Sequence, residues 1–229
     1  TYDWNSRYFA EYNGAYNGSE KFSAENRFSF FSSGAIGWMI SEEPFMKALR
    51  EKHIIDMLKV RASYGEIGDD NVGERFLYQT QWAMGGNSCL DINQGASRYT
   101  WYREAVVGNP DIHWETVKKT NIGIDYSLFD GLLAGNIEIF RDKRTDILVN
   151  GNERAVPGYY GAKPAWVNKG EVETNGYEIE LRFNKTLANS LRLWANMNMT
   201  HAENEIIIKD DAPLKPAYQR AAGYAIGQT

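Results

Sequence analysis

The feature that most constrains the fold is the run of residues 120–140, in which apolar and polar side chains alternate on both sides of Asp130-Gly131. Successive side chains of a strand point to opposite faces, so Ile122, Ile124 and their alternate neighbours share one face. An Asp-Gly pair favours a tight hairpin turn, because glycine tolerates a positive φ. The run therefore predicts an antiparallel hairpin with one apolar face, and that face must contact either a second sheet or lipid.

The same alternation recurs along the chain and predicts seven or eight strands. The predicted strands cover residues 7–16, 27–40, 58–64, the hairpin 120–141, 175–184 and 191–200, with a weaker candidate at 74–82. One short helix is predicted near residues 42–50, because Ser41 is a favourable N-cap and Pro44 lies in the first turn. The predicted fold class is therefore all-β, with antiparallel up-and-down strands.

The lengths of the predicted connections alternate. Residues 65–118 and 141–173 form long connections, whereas 130–131 and 185–190 are short. Long loops at one end and tight turns at the other are typical of an outer-membrane barrel. A β-sandwich can give the same alternation, so this pattern alone leaves both architectures open.

The apolar faces of the clearest predicted strands carry no charged residue, although 24% of the chain is charged. A Lys or Arg facing lipid near the bilayer midplane costs about 2–4 kcal/mol, and a sandwich core excludes charge as well. Strands of about ten residues and aromatic side chains near the strand ends favour lipid. Two hypotheses therefore remain: an arc of a transmembrane β-barrel, and a soluble β-sandwich that binds carbohydrate.

Composition limits the other classes of function. The net charge of -5 and the pI near 5.3 argue against a nucleic-acid partner. Cys89 is the single cysteine, so an internal disulfide is impossible. No apolar run approaches the ~20 residues that a membrane helix needs.

No catalytic constellation is present, and we predict neither an enzyme nor a bound cofactor or metal. His53, His113 and His201 lie far apart in the sequence and lack metal-ligand spacing. The loop "DDNVGE", residues 69–74, offers oxygen ligands and a turn glycine, but it lacks the full spacing of a calcium loop. We interpret it as a polar loop tip.

Several longer stretches resemble the SusC/RagA family of TonB-linked outer-membrane transporters. They are "SRYFAEYNGAYNGSEKFSAENRFSFFSSGAIGWMISEEPFM", "LKVRASYGEIGDDNVG", "VGNPDIHWETVKKTNIGIDYSLFDGLLAGNIEIFRDKRTDIL" and "NKGEVETNGYEIELRF". The closing "AAGYAIGQT" is similar to the family's G-x-P-I-G-Q segment, with Ala225 in place of the proline. The resemblance covers nearly the whole chain in the family's order.

This resemblance implies a monomeric barrel of 22 strands in the outer membrane of a Gram-negative bacterium. A plug domain fills the lumen, the TonB complex supplies energy through it, and a SusD-like lipoprotein delivers glycan or peptide cargo. The plug, the TonB box and the C-terminal strands are absent from this sequence. We therefore expect residues 1–229 to form one partial transmembrane β-barrel domain that contacts outer-membrane lipid.

Aromatic residues in the long loops are the predicted contacts for cargo or for the lipoprotein lid. Flat rings beside hydrogen-bonding groups suit sugar-like ligands. The candidates are Arg98, Tyr99, Trp101, Tyr102, Tyr159, Tyr160 and Trp166. The alternative is that these rings pack the loops together. Trp114, in "GNPDIHWET", is instead expected to anchor the start of a strand.

Overall fold

The chain folds into one large antiparallel sheet. A computed structural model describes residues 1–87, 100–157, 159, 161, 163–187, 191–211 and 215–228. Eight strands form the sheet in the order β1-β2-β3-β4-β7-β8-β9-β10, and β5 pairs with β6 alone. Every pairing is antiparallel. Each joins strands that follow one another in the chain except β4-β7, between which the β5-β6 pair is inserted. The prediction of an all-β, up-and-down fold is confirmed.

The strands have the following bounds: β1 Tyr2–Trp4, β2 Tyr8–Gly18, β3 Phe28–Met39, β4 Ile55–Asp69, β5 Gln81–Asn87, β6 Thr100–Val106, β7 Glu115–Leu128, β8 Leu133–Val149, β9 Val167–Thr186 and β10 Arg192–Ile208. Most of the predicted strands extend beyond the predicted limits at one or both ends. The weak candidate at 74–82 is wrong for most of its length, since β5 begins only at Gln81. β1 and β6 were not predicted.

The connections differ at the two ends of the sheet. At what we call the turn end, β1-β2, β7-β8 and β9-β10 are joined by short connections, and β3-β4 by residues 40–54. At the loop end lie residues 19–27, 70–114, 150–166 and the stretch after β10. In the predicted hairpin, Phe129, Asp130 and Gly131 all adopt positive φ, and four residues rather than two separate Leu128 from its partner Leu133.

The helical prediction near residues 42–50 is correct in place but wrong in detail. The segment has 3-10 turns at Ile40–Glu42 and Pro44–Met46, followed by α1 at Lys47–Glu51. Ser41 does not cap α1, because it lies buried within the first turn, two residues after Met39, the N-cap residue of that turn. None of the helices among the described residues is long and apolar enough to cross a membrane.

The β-sandwich hypothesis is wrong, because the predicted apolar face has no facing layer within the described residues. Ile124 and Leu193 belong to this face and remain 41% and 47% exposed. The buried apolar core lies instead at the loop end. It consists of Phe22, Phe31, Val72, Leu77, Ile112 and Trp114, against which Leu148 and Trp166 pack.

Candidate membrane face and ligand loops

One face of the sheet, here called the outward face, carries a continuous belt of uncharged side chains. The strand registers align these side chains in cross-strand rows. One row runs Tyr8, Trp38, Val60, Ile124, Ile137, Ile179 and Met199. The belt therefore extends from β2 to β10, and its largest side chains are exposed.

The belt crosses the sheet diagonally. In β2 it begins at Tyr8, whereas in β10 it begins at Leu193, about six residues closer to the turn end than Met199, which shares a row with Tyr8. At ~3.4 Å per residue and ~4.8 Å per strand, this shift over about six strand steps corresponds to a tilt of about 35° between the strands and the belt normal. Tilts of about 35–45° are typical of transmembrane barrels.

Aromatic rings border the belt at both ends of β2 and β3. At the turn end, Tyr8 stacks on Trp4 with ring centroids 5.6 Å apart and on Trp38 with centroids 6.4 Å apart. At the loop end, Tyr16 stacks on Phe28 with centroids 5.5 Å apart. Amphipathic rings favour the level of the lipid headgroups, so two such bands delimit a bilayer-like layer between them.

The Tyr8–Trp38 pair is tied to a carboxylate. The Tyr8 hydroxyl donates to Glu43 Oε1 at 2.7 Å, and Trp38 Nε1 donates to the same oxygen at 3.1 Å. The hydrogen bond from Tyr8 has the largest effect on the pKa of Glu43, and together with the bond from Trp38 and the charge of Arg7 it lowers that pKa below its ordinary value. Desolvation opposes the shift but is outweighed. The polar ends of both rings are therefore satisfied at the turn end of the belt.

Beyond the belt, towards the loop end, the outward face becomes polar and charged. The next outward rows hold Thr120, Arg141, Asn175 and Glu203, and then Glu66, Lys118, Lys143, Glu173 and Glu205. Arg141 pairs with Glu173 at 2.7 Å and Lys143 with Glu171 at 2.7 Å. The inward side of the same region combines apolar side chains with charged ones: Ile67, Val117, Val172 and Ile206 lie there together with Lys119, Asp142 and Arg144. Such charged outward rows belong in water rather than in hydrocarbon.

Level with the belt, the inward face is polar and internally paired. Arg61 contacts both Asp125 and Glu138, and Asn121 Nδ2 donates to Glu138 at 2.9 Å. Nearer the turn end, Asn136 Nδ2 and Arg182 Nε donate to Glu180 at 2.9 and 2.6 Å. An outward apolar belt opposite an inward polar network is the arrangement of a barrel wall with a wet lumen.

The segment "GNPDIHWET" organises the loop end, as expected for Trp114. The Trp114 ring lies 5.3 Å from Phe22 and 5.5 Å from Phe31, and its Nε1 donates to the Arg27 carbonyl at 3.2 Å. Ile112 is fully buried, and Asn109 Nδ2 donates to the Trp166 carbonyl at 2.8 Å. The segment therefore supports the loops rather than presenting a ligand surface.

Two adjacent carboxylates tie the end of β10 to neighbouring loops. Asp210 accepts from Lys169 Nζ at 2.5 Å and from the Ala155 N–H at 3.3 Å. The bond from Lys169, followed by the bond from Ala155 and the charges of Lys169 and Arg154, lowers the pKa of Asp210 despite its burial.

Asp211 holds the closing segment in the same way. Burial raises the pKa of Asp211, but the N–H groups of Ala222 and Ala221 together with Lys215 outweigh that effect, so the pKa lies below its ordinary value. The closing segment then follows the outer edge of β10. Gly223 N donates to the Ile206 carbonyl at 2.7 Å, and Ile206 N donates to the Tyr224 carbonyl at 2.9 Å.

The predicted loop aromatics fall into different environments. Tyr102, on β6, is exposed, and Tyr159 is 91% exposed. Trp166 packs against the loop-end core and borders a cavity of about 140 Å³ that is also lined by Glu74 and Lys163. Arg98, Tyr99 and Tyr160 lie outside the described residues, and the side chain of Trp101 is likewise not described. The structure records no contact that brings Tyr102, Tyr159 and Trp166 together.

Two of the three carboxylates in the loop "DDNVGE" are bonded within the protein. Asp69 pairs with Arg144 at 2.7 Å, and Asp70 accepts from the Ser19 hydroxyl at 2.8 Å. The sequence did not reveal one grouping, at the turn end, where His53, Asp56 and Asp130 place ligand-type atoms within 4.8 Å of one another. His53 Nδ1 lies 2.6 Å from Asp130 Oδ1, an ion-pair geometry that joins two connections.

Known proteins share this architecture. The family model described as TonB dependent receptor-like, beta-barrel, matches residues 1–226. TonB-dependent receptor P3 of Formosa agariphila is 28% identical over 207 residues, which are 90% of this chain and 19% of the relative. TonB-dependent receptor SusC of Bacteroides thetaiotaomicron is 28% identical over 201 residues, 88% of this chain and 19% of that protein. The chain thus spans about a fifth of the length of these relatives.

Solved structures agree on the fold. The structure of the RagAB peptide importer in the open-open state superposes with a TM-score of 0.76 at 17% identity, over 90% of this chain and 21% of the solved chain. The closed-closed state of the same importer gives a TM-score of 0.73 at 18% identity, over 89% of this chain and 21% of the solved chain.

Proposed function

The chain belongs to the family of TonB-dependent receptor-like β-barrels, and from that premise we propose that it forms part of the wall of an outer-membrane importer. The complete importer takes up glycans or peptides with a SusD-like lipoprotein and draws its energy from TonB through a plug domain. The similarity to SusC and the fold shared with the RagAB peptide importer support this proposal.

The observation that carries the proposal is the diagonal, uncharged belt on the outward face. A soluble sheet would need a covering layer over Ile124, Ile139 and Leu193, which are exposed. Hydrocarbon provides that cover without any partner protein. The tilt of about 35° derived from the registers agrees with strands crossing a bilayer obliquely.

The connections orient the wall in the membrane. Outer-membrane barrels place short turns in the periplasm and long loops outside the cell. We therefore assign the turn end to the periplasm and the loop end to the exterior, where the charged outward rows of β7–β10 meet water or polar headgroups. Cargo and the lipoprotein then approach from the loop end.

The predicted cargo or lid contacts can be divided further. Tyr102 and Tyr159 expose their rings and are the favoured contacts. Trp166 combines a packing role with a place at the small cavity beside Glu74 and Lys163, so it supports the loops and can touch only a small polar group there. Arg98, Tyr99, Trp101 and Tyr160 stay predictions from the sequence.

A charge placed in the belt tests the lipid assignment in the full-length receptor. Ile124 lies on the outward face and Ser63 on the inward face, where its side chain is exposed. We expect Ile124→Lys to destabilise the barrel in liposomes by about 2–4 kcal/mol, because lysine near the midplane loses its hydration. Ser63→Lys, the matched control, should cost less than about 1 kcal/mol. The measurement is denaturant unfolding from liposomes.

Equal losses of stability in the two variants would contradict the lipid assignment. So would recovery of the full-length protein with the soluble periplasmic fraction instead of the outer membrane.

A further inference from the structure

Two exposed apolar side chains lie on the connection between β3 and β4 at the turn end. This connection, residues 40–54, is called the turn-end segment. Phe45 is 66% exposed and Leu49 is 37% exposed. They are four residues apart across the 3-10 turn Pro44–Met46 and α1, so they lie on neighbouring parts of one helical surface. Together they form a small exposed apolar surface on this connection.

The start of the segment is fixed to the outward face of the sheet. Glu43 accepts hydrogen bonds from Tyr8 and Trp38, both in the outward row, at 2.7 and 3.1 Å. Phe45 follows Glu43 by two residues, so it lies close to the turn-end edge of the belt. Stacked Trp and Tyr rings mark the level of lipid headgroups. The segment that carries the apolar pair is therefore attached to the proposed lipid-facing surface at Glu43.

The end of the segment is fixed as well. Ile54 N donates to the Leu49 carbonyl at 3.0 Å, and Phe129 N donates to the Ile54 carbonyl at 3.3 Å. The side-chain contact between His53 Nδ1 and Asp130 Oδ1, at 2.6 Å, adds a further link. Because both ends are held, the segment presents Phe45 and Leu49 from a defined position.

Charged residues alternate with this apolar pair. The side chain of Lys47 is 76% exposed, with Glu51 3.8 Å away, whereas Arg50 is held by Glu42 at 2.5 Å. Lys52 is exposed at the end of α1. Apolar side chains on one side and lysines beside them are characteristic of segments that lie in the interface of a phospholipid layer, with the ammonium groups near the phosphates.

We propose that the turn-end segment is a membrane-interface anchor. Phe45 and Leu49 insert into the periplasmic leaflet, and Lys47 and Lys52 face its phosphate groups. This inference rests on the proposed function, since it requires the outward belt to face lipid. Its partner is the phospholipid layer itself, not a protein.

Site-directed spin labelling of the full-length receptor in phospholipid liposomes tests the anchor. In a cysteine-free background that includes Cys89→Ser, single labels are introduced by Phe45→Cys, Lys47→Cys, Ile139→Cys and Tyr159→Cys. Collision rates with oxygen, which concentrates in lipid, are compared with those of a water-soluble nickel chelate. We expect the label at 45 to favour oxygen several-fold over the label at 47, and the label at 159 to favour nickel.

The outcomes separate this inference from the proposed function. A lipid-exposed label at 139 with a water-exposed label at 45 overturns the anchor and leaves the wall assignment intact. A label at 45 that neither reagent reaches shows a protein partner, and this also overturns the anchor. A nickel-accessible label at 139 overturns the proposed function and the anchor with it.

Discussion

Trp114 holds three distant segments of the chain together at the loop end. Its ring contacts Phe22 and Phe31, while its indole N–H satisfies the carbonyl of Arg27. Phe31 in turn lies over Gly68, where an added Cβ would come within 2.0 Å of the phenyl ring. A substitution of Trp114 therefore affects residues 19–27, β3 and β4 together.

We predict that Trp114→Ala loosens the loop end strongly. Truncation of a buried tryptophan costs about 3–5 kcal/mol, and Trp114→Phe, which keeps an apolar ring but loses the indole hydrogen bond, should cost about 1–2 kcal/mol. Hydrogen exchange of residues 108–116 in the full-length receptor is the measurement. Tyr159→Ala is the control, because its side chain is almost fully exposed and should change protection little. Equal protection in all three variants would refute the anchoring role.

The sequence indicated that Trp114 was an anchor, but it could not reveal its partners. Phe22 and Phe31 precede it by many residues, and only the pairing of β3, β4 and β7 brings them together. The same holds for His53 and Asp130, which meet because the β3-β4 and β7-β8 connections share one end of the sheet. Contacts of this kind depend on register, which alternation within single strands does not encode.

At the level of the element, β8 shows why the strands were predicted too short. It spans Leu133–Val149, whereas the prediction ended at residue 141. Alternation stops at Arg141, Asp142, Lys143 and Arg144, because above the belt both faces accept charge. The backbone nevertheless continues its ladder with β7 and β9 through ion-paired side chains. Apolar periodicity thus indicates the part of a strand that lies in the belt, not its full length.

The Asp210 carboxylate gives the end of β10 a dependence on pH. Its pKa in the folded chain is below the ordinary value, so its stabilising contribution is present above that value and is lost as the pH falls through the folded pKa. We predict that residues 150–157, which are held through Ala155 and Arg154, lose hydrogen-exchange protection as the pH falls below about 4. The exchange rates are corrected for the intrinsic effect of pH.

Asp210→Asn is the matched variant for this prediction. The amide retains a hydrogen-bond acceptor but cannot ionise, so protection should be lower near neutral pH and should no longer change in the acidic range. If the variant and the parent protein show the same acid-dependent loss, another group is responsible.

At the scale of the whole molecule, the decisive feature is that the sheet is open, with an edge strand at each side. In the described part of the chain, β1 pairs only with β2 and β10 only with β9. The closing segment covers the β10 edge at Ile206, but the portion of β10 within the belt stays open. Unpaired N–H and C=O groups in hydrocarbon cost several kcal/mol each, so further strands must complete the wall if it spans a membrane.

We therefore predict that the 229-residue chain alone does not fold as a cooperative monomer in detergent-free buffer. Its exposed belt and open edges should drive association. Light scattering and thermal melting followed by circular dichroism measure this, with the detergent-solubilised full-length receptor as the reference. A monodisperse chain with one sharp transition would contradict the barrel-wall assignment.

The fold class of the whole molecule could be predicted from the sequence because every second residue of the belt is uncharged. The exclusion of charge from one face required only local sequence. The tilt of the belt, the loop-end core and the turn-end segment depend on how strands slide past one another, and these features emerged only from the registers. The sequence is least informative on whether the loop aromatics contact a ligand or pack the loops, since long loops carry no periodicity.

The charged outward rows above the belt affect how the proposed wall keeps its depth in the bilayer. Displacement of β7 and β8 toward the periplasm would move Lys118, Arg141 and Lys143 into the hydrocarbon core. The cost is about 2–4 kcal/mol for each cation near the midplane. In the proposed wall, these outward charges therefore oppose displacement of the strands toward the periplasm.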